Sequence, residues 1–276
     1  MPTQIASPVK LFLFFALSPE AKPFIAHFGF KKIVELHVFE IYQAQDMILT
    51  ITGIGKSAMA AGVAYSVALF GDEHLPVMVN IGIAGHQHAP LGQLWMVEKV
   101  TDADSAKRYY PQCLPKTACC SAPLVTVSQP QTCYAPDTLY DMEASAFYET
   151  AIRFTSSELV LMMKVVSDNE DAAIHTINAK QVSLWLAEHV DTVAALLKQL
   201  TKRAQTLIPP KADTLELLTK VLHFTVSEKN QLKILLLRWQ VLTDNTEMPL
   251  SATEFSSARL FLSELSARIQ QLPVSL

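Results

Sequence analysis

The stretch Leu159-Val160-Leu161-Met162-Met163-Lys164-Val165-Val166-Ser167-Asp168 decides the fold. Its apolar run is interrupted by Lys164 alone and predicts a buried sheet strand over Leu159–Val166. Asp168 follows at the carboxyl end of that strand, which is where open α/β sheets place their ligands. A carboxylate there is costly to bury unless it has a partner or a chemical function. The stretch therefore predicts an α/β domain and makes Asp168 a candidate site residue.

Further short apolar runs alternate with helical patterns along the chain. The predicted strands are Leu11–Leu17, Val34–Ala44, Asp46–Thr52, Pro76–Ile81 and Leu94–Val100. The predicted helices are Glu20–His27, Ser57–Phe70, Glu143–Phe154 and Ile177–Leu200. This alternation is typical of an α/β domain with a largely buried sheet.

The C-terminal part of the sequence has a different pattern. Ile208-Pro209-Pro210 is the clearest linker signal, because proline ends a helix. We therefore predict an α/β domain over residues 1–204 and a helical extension over 205–276. Thr214–Leu242 and Thr253–Leu272 have apolar residues at helical spacing. The extension either covers the main domain as a helical hairpin or binds a protein partner.

Composition and charge exclude some classes of function. Half of the 276 residues are hydrophobic, and the net charge is −4 without a basic run, so nucleic acid is not an expected partner. No apolar stretch approaches the roughly 20 residues that span a bilayer. Leu11–Leu17 follows Lys10 as in a secretory signal, but it is short and no cleavage site follows, so a buried strand is favoured. We expect a cytoplasmic protein.

Cysteine and histidine spacing does not predict a metal site. The four cysteines lack the CxxC pairs of zinc sites, and reduced thiols are favoured over disulfides. His86-Gln87-His88 lacks an obvious third ligand, although Asp102 and Asp104 are near in sequence. Surface or substrate-contacting histidines are the favoured interpretation. The cysteines are Cys113, Cys119, Cys120 and Cys133.

Five segments, in the same order, resemble the purine nucleoside phosphorylase and methylthioadenosine/S-adenosylhomocysteine nucleosidase superfamily. They are Ala16-Leu17-Ser18-Pro19-Glu20-Ala21, Thr52-Gly53-Ile54-Gly55-Lys56, Val79-Asn80-Ile81-Gly82-Ile83-Ala84-Gly85, Asp141-Met142-Glu143-Ala144 and Val166-Ser167-Asp168-Asn169. The match covers residues 10 to 200, approximately. It implies a nucleoside-phosphorylase-like fold, with a central mixed sheet flanked by helices. It also implies a small-molecule nucleoside substrate, no cofactor, and a homodimer or larger homo-oligomer.

Cleavage of an N-glycosidic bond requires protonation of the leaving base, a hold on the sugar and a nucleophile on the opposite face. The resemblance assigns base protonation to Asp168, with Ser167 beside it in the base site. An apolar environment raises the pKa of a carboxyl group and can keep it protonated near neutral pH. The alternative for Asp168 is a helix N-cap.

The resemblance also assigns roles to two glutamates. Glu143 would accept hydrogen bonds from the ribose hydroxyls, with Met142 against the sugar face, and Glu20 would activate water. Each glutamate also fits an acidic residue in the first turn of a helix, which the helix dipole favours. Asp141 stands where the hydrolases often have another acid, so its role stays open.

The glycine segments are permissive rather than specific. Gly53 and Gly55 would let the backbone approach a ligand, and Ala84 and Gly85, with Gly82, would frame the base and sugar. A generic strand-to-helix turn explains the same pattern.

The sequence departs from the phosphorylases in its basic residues. Asn80 stands where many of them have Arg, and no Arg precedes Arg108. Lys22 or Lys56 would bind phosphate only as a point charge. Hydrolysis is therefore favoured over phosphorolysis, and a non-catalytic relative that binds a nucleoside or a protein is the further alternative. The segment from Val127 to Met142 is short compared with the same region of the nucleosidases. Tyr134 and Tyr140 are the candidates for contact with the base.

Overall fold

The computed structural model describes residues 9–272 apart from 35–37, 73, 112–118, 132, 173–176, 207–211, 244–247 and 249. The chain forms two units, Met1–Ala204 and Gln205–Leu276. The linker signal Ile208-Pro209-Pro210 and Cys113 lie outside the described residues.

The first unit is built on one mixed sheet, which confirms the predicted fold class. The apolar side chains of the central strands are buried because both faces of the sheet are covered. The strands are β1 (Leu11–Phe15), β2 (Lys31–Lys32), β3 (Glu40–Ala44), β4 (Met47–Ile51), β5 (Val77–Gly85), β6 (Leu94–Asp102), β7 (Arg108–Tyr109), β8 (Cys120–Thr126), β9 (Leu139–Asp141) and β10 (Val160–Asp168).

The strand pairings place three carboxyl ends at one edge of the sheet. β1 lies between β4 and β5 and is parallel to both, and β10 runs parallel to β5 on its other side. β6, β8 and β9 continue from β10 and return to β5 at the pair Gly85–Tyr140, which closes a ring of strands. The ends of β1, β5 and β10 therefore lie together.

Helices flank the sheet of the first unit. α1 packs on α4, and α2 packs on α3. Phe14 of β1 meets Phe147 of α3 with ring centroids 5.7 Å apart, within the core between sheet and helices. The helices are α1 (Ser18–Phe28), α2 (Lys56–Phe70), α3 (Ala144–Ala151), α4 (Ala179–Ala187) and α5 (Val190–Thr206).

The structure differs from the predicted elements in the bounds of one strand, divides one helical region and adds two strands that were not predicted. Within the predicted strand Val34–Ala44, the structure has a strand over Glu40–Ala44, whereas Val34 lies outside any strand and is 95 % exposed. The long helical region predicted over Ile177–Leu200 consists of two helices, α4 and α5. At the break between them, His189 Nε2 lies 2.6 Å from the carbonyl oxygen of Gly92. β8 and β9 were not predicted, because β8 contains polar residues and a proline and β9 has only three residues.

The second unit is helical and has its own apolar core. α6 (Ala212–Val221), α7 (Val226–Leu242) and α8 (Ala258–Gln271) contribute to it. The predicted helix Thr214–Leu242 is broken before Thr225, whose side chain accepts the Glu228 N–H and caps α7. The apolar run of α7 contributes Leu235, Leu236 and Trp239 to the core of this unit.

Among the described residues, no helix combines the length and the apolar character that a membrane crossing needs.

Candidate active site

A cavity of about 380 Å³ lies at the sheet edge where β1, β5 and β10 end. Segments that are distant in the sequence form its walls. They are the β1–α1 turn, the β4–α2 turn, the end of β5, the segment between β8 and β9, the β9–α3 turn, the end of β10 and the start of α4. The predicted site residues in its lining are Glu20, Ala84, Gly85, Met142, Glu143, Ser167 and Asp168. Gly53 is not among the residues that line it.

Glu20 points back from the first turn of α1 and is 2 % exposed. Its Oε2 accepts the N–H groups of Ala16 and Leu17 at 2.9 and 2.8 Å, and its Oε1 accepts the N–H of Ile83 at 3.0 Å. Burial raises the pKa of Glu20 above its ordinary value, and the charge of Lys164 offsets part of that effect. A carboxylate of raised pKa is a stronger base toward water.

Glu143 precedes α3 as its N-cap residue, but its side chain does not cap that helix. Its Oε1 instead accepts the N–H of Gly55 at 2.6 Å, from the turn after β4. Burial, and then repulsion by Asp141, raise the pKa of Glu143 to about 7. The carboxyl group therefore faces the cavity, and this contact is not explained by a helix-capping role.

Lys164 and Asp141 form a buried ion pair that sequence reasoning missed. Lys164 Nζ lies 2.8 Å from Asp141 Oδ2. Asp141 also accepts from the Thr126 hydroxyl and the Ala144 N–H. Burial alone would lower the pKa of Lys164, but Asp141, Glu143 and Glu20 together raise it. The available signal was a single lysine inside an otherwise apolar strand.

Gly82 leaves the space in which two of these charges meet. A Cβ atom at Gly82 would lie 3.0 Å from Glu20 Oε1 and 3.4 Å from Lys164 Nζ. Both side chains therefore converge above this glycine of β5. The space that these two side chains occupy explains why position 82 is a glycine.

Asp168 ends β10 and is 3 % exposed. The Ser167 hydroxyl donates to its Oδ1 at 2.5 Å, and the Tyr134 hydroxyl contacts its Oδ2. The residues described directly after it, 169–172, are not helical, so it is not an N-cap. Tyr134 and Tyr140, the two candidates for contact with the base, both line the cavity.

The glycines of the β4–α2 turn act on the site indirectly. Gly53 and Gly55 have φ angles of +90° and +97°, which favour glycine. The resulting turn brings Ile54 into the cavity lining and aims the Gly55 N–H at Glu143. Gly53 is therefore placed to shape the turn that carries Ile54 and Gly55.

His86 is buried outside the cavity lining, contrary to the expected surface or substrate contact. Its Nδ1 accepts the N–H groups of His88 and Ala89, and its ring stacks on Trp95. Asp102 and Asp104 bind Lys56 Nζ at 2.7 and 2.6 Å. Over the described ranges, no group of three or more His, Cys, Asp or Glu side chains is placed to hold a metal.

The lining combines four carboxyl groups with apolar walls. Glu20, Asp141, Glu143 and Asp168 supply the carboxyl groups. Among the described residues that line the cavity there is no lysine or arginine. The apolar lining residues include Leu17, Pro19, Ile54, Ile83, Val127, Pro130, Ile177 and Val182. The cavity therefore suits an uncharged or cationic ligand better than an anion.

Comparison with known proteins gives no match to a family model and no match among curated proteins. Solved structures do match. The 5′-methylthioadenosine nucleosidase of Arabidopsis thaliana superposes with a TM-score of 0.58 at 17% identity, over 70% of this chain and 96% of that one. The 5′-methylthioadenosine/S-adenosylhomocysteine nucleosidase of Neisseria meningitidis, in complex with methylthio-immucillin-A, gives 0.53 at 16% identity, over 67% and 99%.

A third structure, the MTAN of Chlamydia trachomatis, gives a TM-score of 0.50 at 22% identity, over 69% of this chain and 100% of that one. These likenesses show the fold. This chain has the nucleoside-phosphorylase-like fold of these nucleosidases, as its five sequence segments predict.

Proposed function

We propose that this protein is an N-ribosyl hydrolase that cleaves the N-glycosidic bond of a purine-type nucleoside. The observation that carries the proposal is the convergence of Glu20, Glu143 and Asp168 in one cavity. The three carboxyl groups come from separate segments, and each is at least nine-tenths buried. Burial of three acids around a cavity is costly and is typical of catalytic sites.

The proposed mechanism gives each acid one role. Asp168 donates a proton to the base as the bond from C1′ to nitrogen breaks and its electrons pass to the base. Glu143 accepts hydrogen bonds from the ribose hydroxyls, with Met142 against the sugar. Glu20 accepts a proton from water as the water oxygen bonds to C1′. The charge of Lys164 lowers the pKa values of Glu20 and Glu143 and so offsets part of the effect of burial.

The choice of water over phosphate rests on the charges of the site. A phosphate dianion entering this cavity would meet several carboxyl groups and no lysine or arginine in the described lining. Lys164 is engaged by Asp141, and Lys56 is engaged by Asp102 and Asp104. Repulsion between like charges therefore favours a neutral nucleophile.

The substrate we propose is a nucleoside whose 5′ substituent carries no net negative charge. Among the described lining residues there is no lysine or arginine to bind a 5′-phosphate, so the same electrostatic repulsion disfavours nucleotides. The names of the matching structures make 5′-methylthioadenosine and S-adenosylhomocysteine the first compounds to test.

A nucleoside panel assayed with and without phosphate tests the proposal. Chromatography should show free base and free sugar at the same rate in both buffers. Sugar 1-phosphate, formed only when phosphate is present, would instead identify a phosphorylase.

A further inference from the structure

Tyr134 lies beside Asp168 but has no role in the mechanism described so far. Its side chain is 8 % exposed and lines the cavity. Its ring packs on Gly85, where a Cβ atom would come within 2.6 Å of Tyr134 Cε1 and 2.8 Å of Asp168 Oδ2. Only glycine at position 85 allows the phenol and the carboxyl group to meet in this way.

The Tyr134 hydroxyl lies between two oxygen atoms. It contacts Asp168 Oδ2, and it lies 3.0 Å from the carbonyl oxygen of Gln131. A phenol has one hydrogen to donate, and a carbonyl oxygen can only accept. Both contacts are therefore hydrogen bonds at the same time only when Asp168 is protonated and donates to Tyr134.

The hydrogen bonds of Tyr134 must be arranged differently once Asp168 has lost its proton. The carboxylate can then only accept, so the hydrogen of Tyr134 must turn from Gln131 to Asp168. Ser167 donates to the other carboxylate oxygen. Each carboxylate oxygen has two acceptor positions, so room for a base N–H remains.

We propose that Tyr134 is a positioning residue that acts through Asp168 by exchanging its hydrogen-bond acceptor during proton transfer. The proposal rests on the proposed function. Before transfer, Tyr134 donates to Gln131 and holds the proton-bearing oxygen of Asp168. Once the base is bound, the Asp168 O–H turns from Tyr134 to the base nitrogen. As that O–H bond breaks and the N–H bond of the base forms, the phenol turns from Gln131 to donate to the new carboxylate. The phenol keeps its own hydrogen throughout.

The need for such a donor follows from the surroundings of Asp168. Among the described residues no ion pair joins it to a cation, because Lys164 is paired with Asp141. A buried carboxylate without a cation depends on hydrogen-bond donors. Burial and the bond to Asp168 raise the pKa of Tyr134, so the phenol stays neutral and remains a donor.

Tyr134→Phe tests the role, because it keeps the ring and removes the hydroxyl. We expect kcat to fall by about 10- to 100-fold, the range for losing a hydrogen bond to a charged group. KM should change little, since the loss applies to the transition state. Tyr109→Phe is the matched control, because it removes a tyrosine–carboxylate bond of 2.7 Å to Glu149 outside the cavity. A kcat of Tyr134→Phe equal to that of Tyr109→Phe would overturn the proposal.

A second measurement does not depend on turnover. In protein labelled with [ζ-¹³C]tyrosine, the signal that disappears in Tyr134→Phe is assigned to Tyr134. Asp168→Asn should shift that signal and leave the Tyr109 signal in place. An unshifted Tyr134 signal would overturn the pairing even in an active enzyme. Absence of turnover in the wild type, with the shift present, would overturn the proposed function while supporting the pairing.

Discussion

Lys164 Nζ lies 2.8 Å from Asp141 Oδ2, and the two side chains are 2 % and 1 % exposed. The same ammonium group interacts electrostatically with Glu143 and Glu20. One buried cation therefore compensates the negative charge of three acidic residues. The ion pair also fixes the turn between β9 and α3, because Asp141 accepts the Ala144 N–H.

Replacement of this lysine should destabilise the fold. We expect Lys164→Met to lower the free energy of unfolding by about 3–5 kcal/mol, because it leaves buried carboxylates without a cation. Urea unfolding followed by circular dichroism measures the loss. Lys164→Arg keeps the charge, so its free energy of unfolding should fall by less. The double variant Lys164→Met/Asp141→Asn should recover part of the loss. If it is no more stable than Lys164→Met alone, the pairing is not the source of the stability.

The raised pKa of Glu143 should make the free energy of unfolding decrease as the pH rises. Its pKa is raised from 4.5 to about 7 in the folded protein, so the folded state holds this proton more tightly than the unfolded state. Its favourable contribution is present below about pH 4.5 and is lost as pH rises to about 7, amounting to about 3 kcal/mol.

The matching experiment is urea unfolding of wild type and Glu143→Gln at several pH values. The advantage of the glutamine variant over wild type should grow between pH 4.5 and 8. Glu188→Gln, at an exposed position, serves as the control. Parallel stability curves for wild type and Glu143→Gln would contradict the assignment.

The second unit should be dispensable for catalysis. Its apolar residues pack in a core of their own, and the carboxyl groups of the cavity all belong to the first unit. We expect deletion of residues 207–276 to leave base release at the full-length rate. Residues 205–276 alone should give helical circular dichroism and a cooperative thermal transition. Lost turnover in a truncated protein of unchanged circular dichroism would show that the second unit contributes to the site.

We also expect a homodimer or a larger closed oligomer. Ile54 lines the cavity and is nevertheless 57 % exposed, so the cavity wall is incomplete in one chain. A symmetric partner would cover such a surface. Light scattering at micromolar concentration should give a multiple of 30.5 kDa. A mass of one chain would refute this expectation.

The sequence predicted the parts of the fold that local pattern determines. β1, β4, β5 and β10 are short apolar runs, and the fold class followed from them. β9 could not be found, because its three residues make one contact pair with β5 that depends on the folded ring. The break between α4 and α5 likewise depends on Gly92, a residue distant in the sequence.

The residues of the site also divide into those that the sequence suggested and those whose contacts only the structure shows. Glu20, Glu143 and Asp168 were selected through the resemblance, since each also fits an ordinary position near a helix end. The only local signal of Lys164 is its place in an apolar strand, and Tyr134 was a candidate only for contact with the base, so the role of neither follows from the local sequence. Lys164 matters because of acids from other segments, and Tyr134 because Gly85 gives it access to Asp168.

The rate of free base release in phosphate-free buffer tests the central claim most directly. Wild type should release the base from 5′-methylthioadenosine or another nucleoside of the panel. Asp168→Asn should reduce kcat by about 10²–10⁴-fold, as expected for loss of a general acid, while circular dichroism stays unchanged. Wild type that releases no base, or Asp168→Asn that releases it at the wild-type rate, would contradict the account.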